Sequence, residues 1–254
     1  QPGDYIVGVT PPSGYKSSSV DAGDADIDLD DNDDNGVGTG TTETKSAVVT
    51  LTVGAEPATD GDGTNGNLTV DFGFTGTGAL GDKVFADNNG DGLQTGGEPG
   101  IANVEVVLTY TINGVTYTKR DTTDASGIYN FTDLPPATYT VTFGTPTGGY
   151  VATTPNVGGN TTNNLGTDIN DSDAVGGVVS GIVLGAGETN NGIDAGFYLP
   201  VNVGNIVFYD ANNNGVKDGS EGLVQGATVK LYKADGTTQV GSNQTTGING
   251  EYNF

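Results

Sequence analysis

Cysteine, methionine, tryptophan and histidine are all absent from the 254 residues, and only 8 lysines and arginines face 32 aspartates and glutamates. Without cysteine there is no disulfide framework and no thiolate metal site, so the redox compartment is not legible. Without histidine, the usual catalytic triads, zinc centres and switches near neutral pH lose their commonest participant. A net charge of −24 argues against binding DNA, RNA or an anionic membrane surface. No apolar run is long enough to span a bilayer, so direct membrane insertion is not expected. No signal peptide opens the chain, which reads as a mature or excised segment. Gly-x-Ser-x-Gly, P-loop and zinc motifs are missing too, and the acidic pairs lack the tryptophan-lined setting of a glycosidase. An enzyme is not expected.

What the chain has in excess is side-chain oxygen, and it is spaced. Asp87, Asn89 and Asp91 are followed by Gly92 and Leu93 and closed by Glu98. Asp210, Asn212 and Asn214 are followed by Gly215, Val216 and Asp218 and closed by Glu221. Oxygen donors thus fall at positions 1, 3 and 5 of a twelve-residue loop. Glycine stands at 6, a residue offering its main-chain carbonyl at 7, and glutamate at 12; Asp218 adds position 9. This is the ligand spacing of an EF-hand-type calcium loop. The flanks are not helical: Lys83-Val84-Phe85 and Ile206-Val207-Phe208 precede the loops, and Val104–Tyr110 and Val229-Lys230-Leu231 follow them. These apolar and β-branched runs read as strands. The expected cofactor is Ca²⁺. Five or six such ions would remove about 10 to 12 negative charges, offsetting the repulsion that would otherwise favour disorder.

Self-comparison organises the rest. Gly81–Phe85 recurs as Gly204–Phe208, Thr122–Phe131 as Thr245–Phe254, and Asp71–Phe74 as Asp194–Phe197, each 123 positions on. Pro2–Val7 matches Pro136–Val141, 134 positions on, so the first repeat carries a loop difference. Residues 1–74 read as the second half of a repeat, 80–198 as a complete one, and 204–254 as the first half of a third. Short linkers are expected at 75–79 and 199–203. Strands are expected near 82–86, 104–111, 115–120, 127–131, 138–143, 177–184 and 193–198. Tyr139, Val141 and Phe143 form one buried face, and Ile112-Asn113-Gly114-Val115 a hairpin. About seven short strands per unit make an all-β chain of tandem Ig-like β-sandwiches.

The string Gly-Asp-x-Val-Phe-x-Asp-x-Asn-x-Asp-Gly at 81–92, then Gly-x-Tyr-x-Phe at 127–131 and Asp-x-Gly-Phe-Tyr at 194–198, resembles the B-type repeats of serine–aspartate repeat surface adhesins. More widely it resembles the collagen-adhesin B-type fold. The resemblance implies extracellular, cell-surface, calcium-stiffened β-sandwich modules in tandem, with further calcium sites on a late Asp-rich loop. Asp168, Asn170, Asp171 and Asp173 lie in such a loop, aligned with Asp28, Asp30, Asp31 and Asp33 of the first repeat. Asp71 and Asp194 either add ligands or cap a turn, and Asp82, which is Asn205 in the next unit, reads as a turn residue. Related modules also carry Lys–Asn/Asp isopeptide bonds, but Lys83 is replaced by Ile206 and Glu105 by Thr228, so no crosslink is expected. The functional expectation is a structural segment of a fibre, stalk or filament. Its partners are neighbouring copies of the same repeat, within one array or as subunits completing one another's split domains. The alternative is an adhesin module binding a host or matrix ligand.

Overall fold

A computed structural model describes residues 1–18, 34–56, 63–64, 66–157 and 170–254. All regular structure in these residues is β. The chain divides into two compact units, Gln1–Leu199 and Pro200–Phe254.

The first unit opens with β1 (Gly3–Tyr5), β2 (Gly8–Val9), β3 (Tyr15–Ser17), β4 (Gly36–Val37), β5 (Thr44–Ser46), β6 (Val49–Leu51) and β7 (Phe74–Gly76). They form the small ladders β1-β6, β2-β5-β4 and β3-β7. A sandwich follows, built of β8 (Gly78–Ala86), β9 (Glu105–Ile112), β10 (Val115–Thr122), β11 (Ile128–Leu134), β12 (Ala137–Phe143), β13 (Val151–Ala152), β14 (Val178–Leu184), β15 (Thr189–Asn190) and β16 (Ala195–Tyr198). One sheet runs β10-β9-β12-β14; the other runs β11-β8-β16-β13, with β15 also on β8. The second unit holds β17 (Gly204–Ile206), β18 (Thr228–Tyr232), β19 (Gln239–Thr245) and β20 (Glu251–Asn253), paired β17-β20 and β18-β19.

Alternation along the strands places the core. Tyr139, Val141 and Phe143 of β12 point inward between outward threonines, as Val106 and Leu108 do on β9. They meet Leu80, Val84, Tyr129, Phe131 and Phe197 of the opposite sheet in one buried cluster. The β9–β10 turn is formed by Asn113 (φ 50) and Gly114 (φ 80), the two left-handed residues of a tight hairpin turn. Two expectations are corrected. Residues 75–79 are not a free linker: β7 ends at Gly76 and β8 begins at Gly78. Asp82 is not a turn residue but lies within β8, opposite Tyr129. It shares the inward face with Leu80 and Val84, two residues to either side, on a strand that begins at Gly78, four residues before the expected start.

The corresponding residues of the second unit are less covered. Val229 and Leu231, the counterparts of fully buried Val106 and Leu108, are only partly buried.

Candidate metal centre

The two twelve-residue loops adopt the same internal hydrogen-bond pattern. In the first, Asp87 Oδ1 accepts the amides of Gly90 and Asp91 (2.6 and 3.2 Å), and Oδ2 accepts that of Gly92 (2.9 Å). Asn89 Oδ1 accepts from Asp91 and Asp91 Oδ1 from Leu93, both at 2.9 Å. In the second, Asp210 accepts from Asn214 and Gly215 (3.2 and 2.8 Å), Asn212 from Asn214 (3.1 Å), and Asn214 from Val216 (2.8 Å). Short polar side chains turning back onto amides two residues ahead coil each loop around its own oxygens. Gly92 (φ 80) and Gly215 (φ 76) at position 6 both need the left-handed backbone that glycine supplies without strain.

The closing glutamates act alike. Glu98 Oε1 accepts the Asn88 amide and Oε2 the Thr95 amide, at 2.9 and 3.0 Å. Glu221 does the same to Ala211 and Asp218, at 2.9 and 3.0 Å. Each glutamate therefore ties positions 2 and 9 together and brings its carboxylate back to the loop's start. Asp218 adds a carboxylate that accepts from Asn212 Nδ2 (2.7 Å) and Asn214 Nδ2 (3.0 Å).

Asp87 is buried, and its Oδ2 also accepts the Thr153 hydroxyl. Burial, the largest single influence, pushes its carboxyl upward. The hydrogen bonds from Thr153, Gly92, Gly90 and Asp91 together outweigh this and hold it below the ordinary value, so the charged form is favoured.

The late Asp-rich segment lies directly against the first loop. The Gln94 amide donates to the Asn170 carbonyl (2.7 Å), Ser172 donates to Gly92 (3.2 Å), and Leu93 bridges Asp171. Asp171 and Asp173 are buried, and Asp194 is fully so. Asp194 Oδ1 accepts the Lys83 amide (3.1 Å), and its own amide donates to Asp173 Oδ2 (2.7 Å). The Tyr129 hydroxyl, which donates to Ile193 O at 2.6 Å, is held well above its ordinary pKa. Burial is the main cause; the neighbouring charges of Asp194, Asp82 and Asp173 add to it. The structure thus gathers Asp87, Asn89, Asp91, Leu93, Glu98, Asn170, Asp171 and Asp173 at one end of the sandwich, and draws in Asp194. Asp210 through Glu221 form a separate, self-contained loop. Asp168, Asp28, Asp30, Asp31 and Asp33 lie outside the described residues.

The alignment of the two late loops needs correcting. Asp173 and Asp194 exchange main-chain and side-chain bonds; Asn35 and Asp71 do the same, with Asp71 N donating to Asn35 Oδ1 (2.9 Å) and Asn35 N to Asp71 O (3.1 Å). Asp71 matches Asp194, so Asn35 stands at the place of Asp173 and Asp34 at that of Ser172. The correspondence is displaced two residues from the one that matches acidic residue to acidic residue. Buried Asp34 and Asn35 are therefore the counterparts of Ser172 and Asp173, an equivalence that matching by charge passes over. Reciprocal pairing, not acidity, marks the position.

The donor set is wholly hard oxygen from carboxylate, amide and main chain, which suits calcium rather than a softer metal. No three acidic side chains among the described residues stand close enough to enclose an ion unaided. The loops fit by donor chemistry and coil, with carboxylates presently satisfied by amides. Lys83 Nζ donates to Glu98 O at 3.2 Å, on the outer side of the same loop.

Comparison with known proteins agrees with the repeat structure. Residues 78–197 and 201–254 each match the model of the SdrD B-like domain. The serine-aspartate repeat-containing protein E of Staphylococcus aureus (strain USA300) is 38% identical over 177 residues, 69% of this chain and 14% of the relative. The bone sialoprotein-binding protein of Staphylococcus aureus (strain MRSA252) shows the same identity and coverage. The chain thus spans a small part of these relatives, and neither name denotes an enzyme. Among solved structures, the Bacillus anthracis TIE protein covers 97% of this chain and 40% of its own (14% identity, TM-score 0.31). A streptococcal ancillary pilin covers 96% and 63% (15% identity, TM-score 0.31). On the family match and the 38% identity, the chain belongs to the SdrD B-like domain family.

Proposed function

We propose that this chain is a structural, calcium-stabilised repeat segment of an extracellular surface fibre or stalk. The observation that carries the reading is the recurrence, 123 residues apart, of one coiled, glutamate-clamped oxygen loop between two strands. Asp87, Asn89, Asp91, the Leu93 carbonyl and Glu98 would hold one ion, and Asp210, Asn212, Asn214, the Val216 carbonyl, Asp218 and Glu221 another. Asn170, Asp171, Asp173 and Asp194 are the donors for a further ion beside the first. A bound cation supplies compensating charge to buried carboxylates whose desolvation otherwise opposes folding. The protein's own contribution is to fix the oxygens on β-strand ends, where each loop is anchored on both sides.

Extracellular calcium sites bind at about 10⁻⁴ to 10⁻³ M, which matches a surface polymer rather than a cytosolic one. A site occupied at a hundred times its dissociation constant adds about 2.7 kcal/mol to folding. Chelator is expected to lower the melting temperature and calcium to restore it. Asp87→Ala and Glu98→Ala should abolish most of the calcium-dependent part contributed by the central sandwich, leaving that of the Asp210–Glu221 loop, whereas Asp124→Ala should leave both intact. Asp124 only caps a turn through the Ser126 and Ile128 amides. Identical melting curves in calcium and in chelator would refute the reading. The partly covered Val229 and Leu231 further suggest that the 204–254 half is completed by strands of a neighbouring repeat, in the same array or from another copy.

A second reading rests on the relative named a bone sialoprotein-binding protein. The matched region would then contribute to recognition of a host or matrix protein. Surface capture of such a ligand by this chain alone would favour it over a purely structural role.

A further inference from the structure

The joint between the first repeat half and the central sandwich carries the inference furthest. Strand β7 belongs to the preceding half through its ladder with β3, and β8 belongs to the sandwich, with only Thr77 between them. A chain passing so quickly from one body to the next must lie on the second body's surface. It does so at two glycines. A Cβ on Gly76 would sit 2.1 Å from the carbonyl carbon and oxygen of Leu134 and 2.2 Å from Pro135 N. A Cβ on Gly78 would sit 2.8 Å from Leu134 O and Leu184 Cδ2.

The anvil beneath them cannot retreat. Leu134 is fully buried, and Pro135 O accepts the hydroxyl of fully buried Tyr139. On the other side, Gly14 (φ 85) has room for no side chain, because its Cβ would fall 2.5 Å from Ala186. The Thr77 amide donates to Gly14 O at 2.9 Å and the Ala79 amide to Glu188 O at 3.0 Å. Lys16 Nζ of the preceding half meets Asp133 Oδ1 of the sandwich at 2.7 Å. The Lys16 ammonium is the leading cause of a lowered Asp133 carboxyl. Among the described residues, Asp87, Asn89, Asp91 and Glu98 take no part in these bonds.

We propose that this joint is an interlock whose stiffness is encoded by Gly14, Gly76 and Gly78 and steered by the Lys16–Asp133 pair, independently of any bound cation. A protein surface that close-packs against main chain has no slack for a methyl group. The repeat itself varies here: Leu199 and Val201 occupy the places of Gly76 and Gly78, and Val151, paired with Tyr198 as Lys16 is with Thr75, that of Lys16. Joint stiffness is thus written into the 76–78 boundary by its own residues, beyond whatever calcium does inside the modules.

The absence of cysteine makes the test clean. Val53→Cys and Val183→Cys place exposed spin labels on either side of the joint. Distance distributions between them are measured in the full chain, with and without chelator, at a temperature where circular dichroism shows the chain folded. The interlock predicts one narrow distribution, unchanged by chelator, broadened by Gly76→Leu, and accompanied by lost exchange protection at the Thr77 amide. Lys16→Asp should broaden it and Lys16→Asp with Asp133→Lys should restore it, a test that stands even if the leucine disturbs folding. A broad distribution in the unsubstituted chain, or broadening by chelator with the glycines intact, would overturn the proposal. The second outcome would leave the calcium reading standing.

Discussion

Asp82 shows how one residue's burial becomes a measurable dependence on pH. It lies on β8 opposite Tyr129, with Lys83 beside it, and desolvation, only partly countered by Lys83, pushes its carboxyl up to about 6. Between the ordinary carboxylate range and pH 6, the folded chain keeps a proton that the unfolded chain has released. Stability at this site therefore falls as pH rises through that window and levels off above it. Asp82→Asn, the residue found at position 205 of the next unit, removes the titration. It should add about 1–2 kcal/mol at pH 7, after discounting for partial solvent access, and almost nothing below the unfolded pKa near 4. Chemical unfolding of both forms at pH 3.5 and 7 checks the sign. An equal gain at both values would mean that packing, not charge, is responsible. The same residue marks a limit of sequence reading: Asp82 has a turn-like type but shares a strand face with Leu80 and Val84, and only its cross-strand partner Tyr129 reveals its partly buried setting. Asp34 and Asn35 are hidden for the opposite reason, because they follow directly on the densest acidic run, Asp28–Asp33.

At the scale of elements, alternation made the strands legible. The expected strand at 138–143 is Ala137–Phe143, and that at 177–184 is Val178–Leu184, because inward apolar and outward threonine residues leave little freedom of register. What could not be read was the side-chain chemistry that pins the ends. Tyr139 donates its hydroxyl to Pro135 O four residues back, and Tyr5 makes the same bond to Gln1 O. Thr123 joins Ile101 O to the Val104 amide, and Thr246 repeats this between Val224 O and Ala227. Tyrosine at alternate positions looks like core, and threonine like strand, until the carbonyl each reaches is known. Tyr139→Phe should cost about 1–3 kcal/mol, since it leaves a buried carbonyl without its donor. The partly exposed Tyr5→Phe should stay within about 0.5 kcal/mol. Equal costs in denaturant melts would contradict this assignment of the corner.

For the whole molecule, repetition rather than composition made the organisation readable. A chain this acidic and glycine-rich resembles a disordered one by composition alone. The 123-residue recurrence of strand and loop, with the tyrosine corner recurring 134 positions on, shows instead a series of like modules, and the family match falls on two of them. The short joint at 75–79 has the composition of a linker, five small residues, and its packing partners are remote in sequence. The anvil of Leu134 and Pro135 lies some 60 positions away along the chain.

The central claim is that the glutamate-clamped loops hold calcium. Calorimetric titration of the chelator-stripped full chain with calcium tests it directly, alongside a Glu98→Gln, Glu221→Gln double variant. The account predicts saturable binding of at least two ions in the unsubstituted chain and the loss of two in the double variant. No binding heat up to 10 mM calcium (well above the roughly 1 mM upper end for such sites), with no shift in melting temperature, would contradict it.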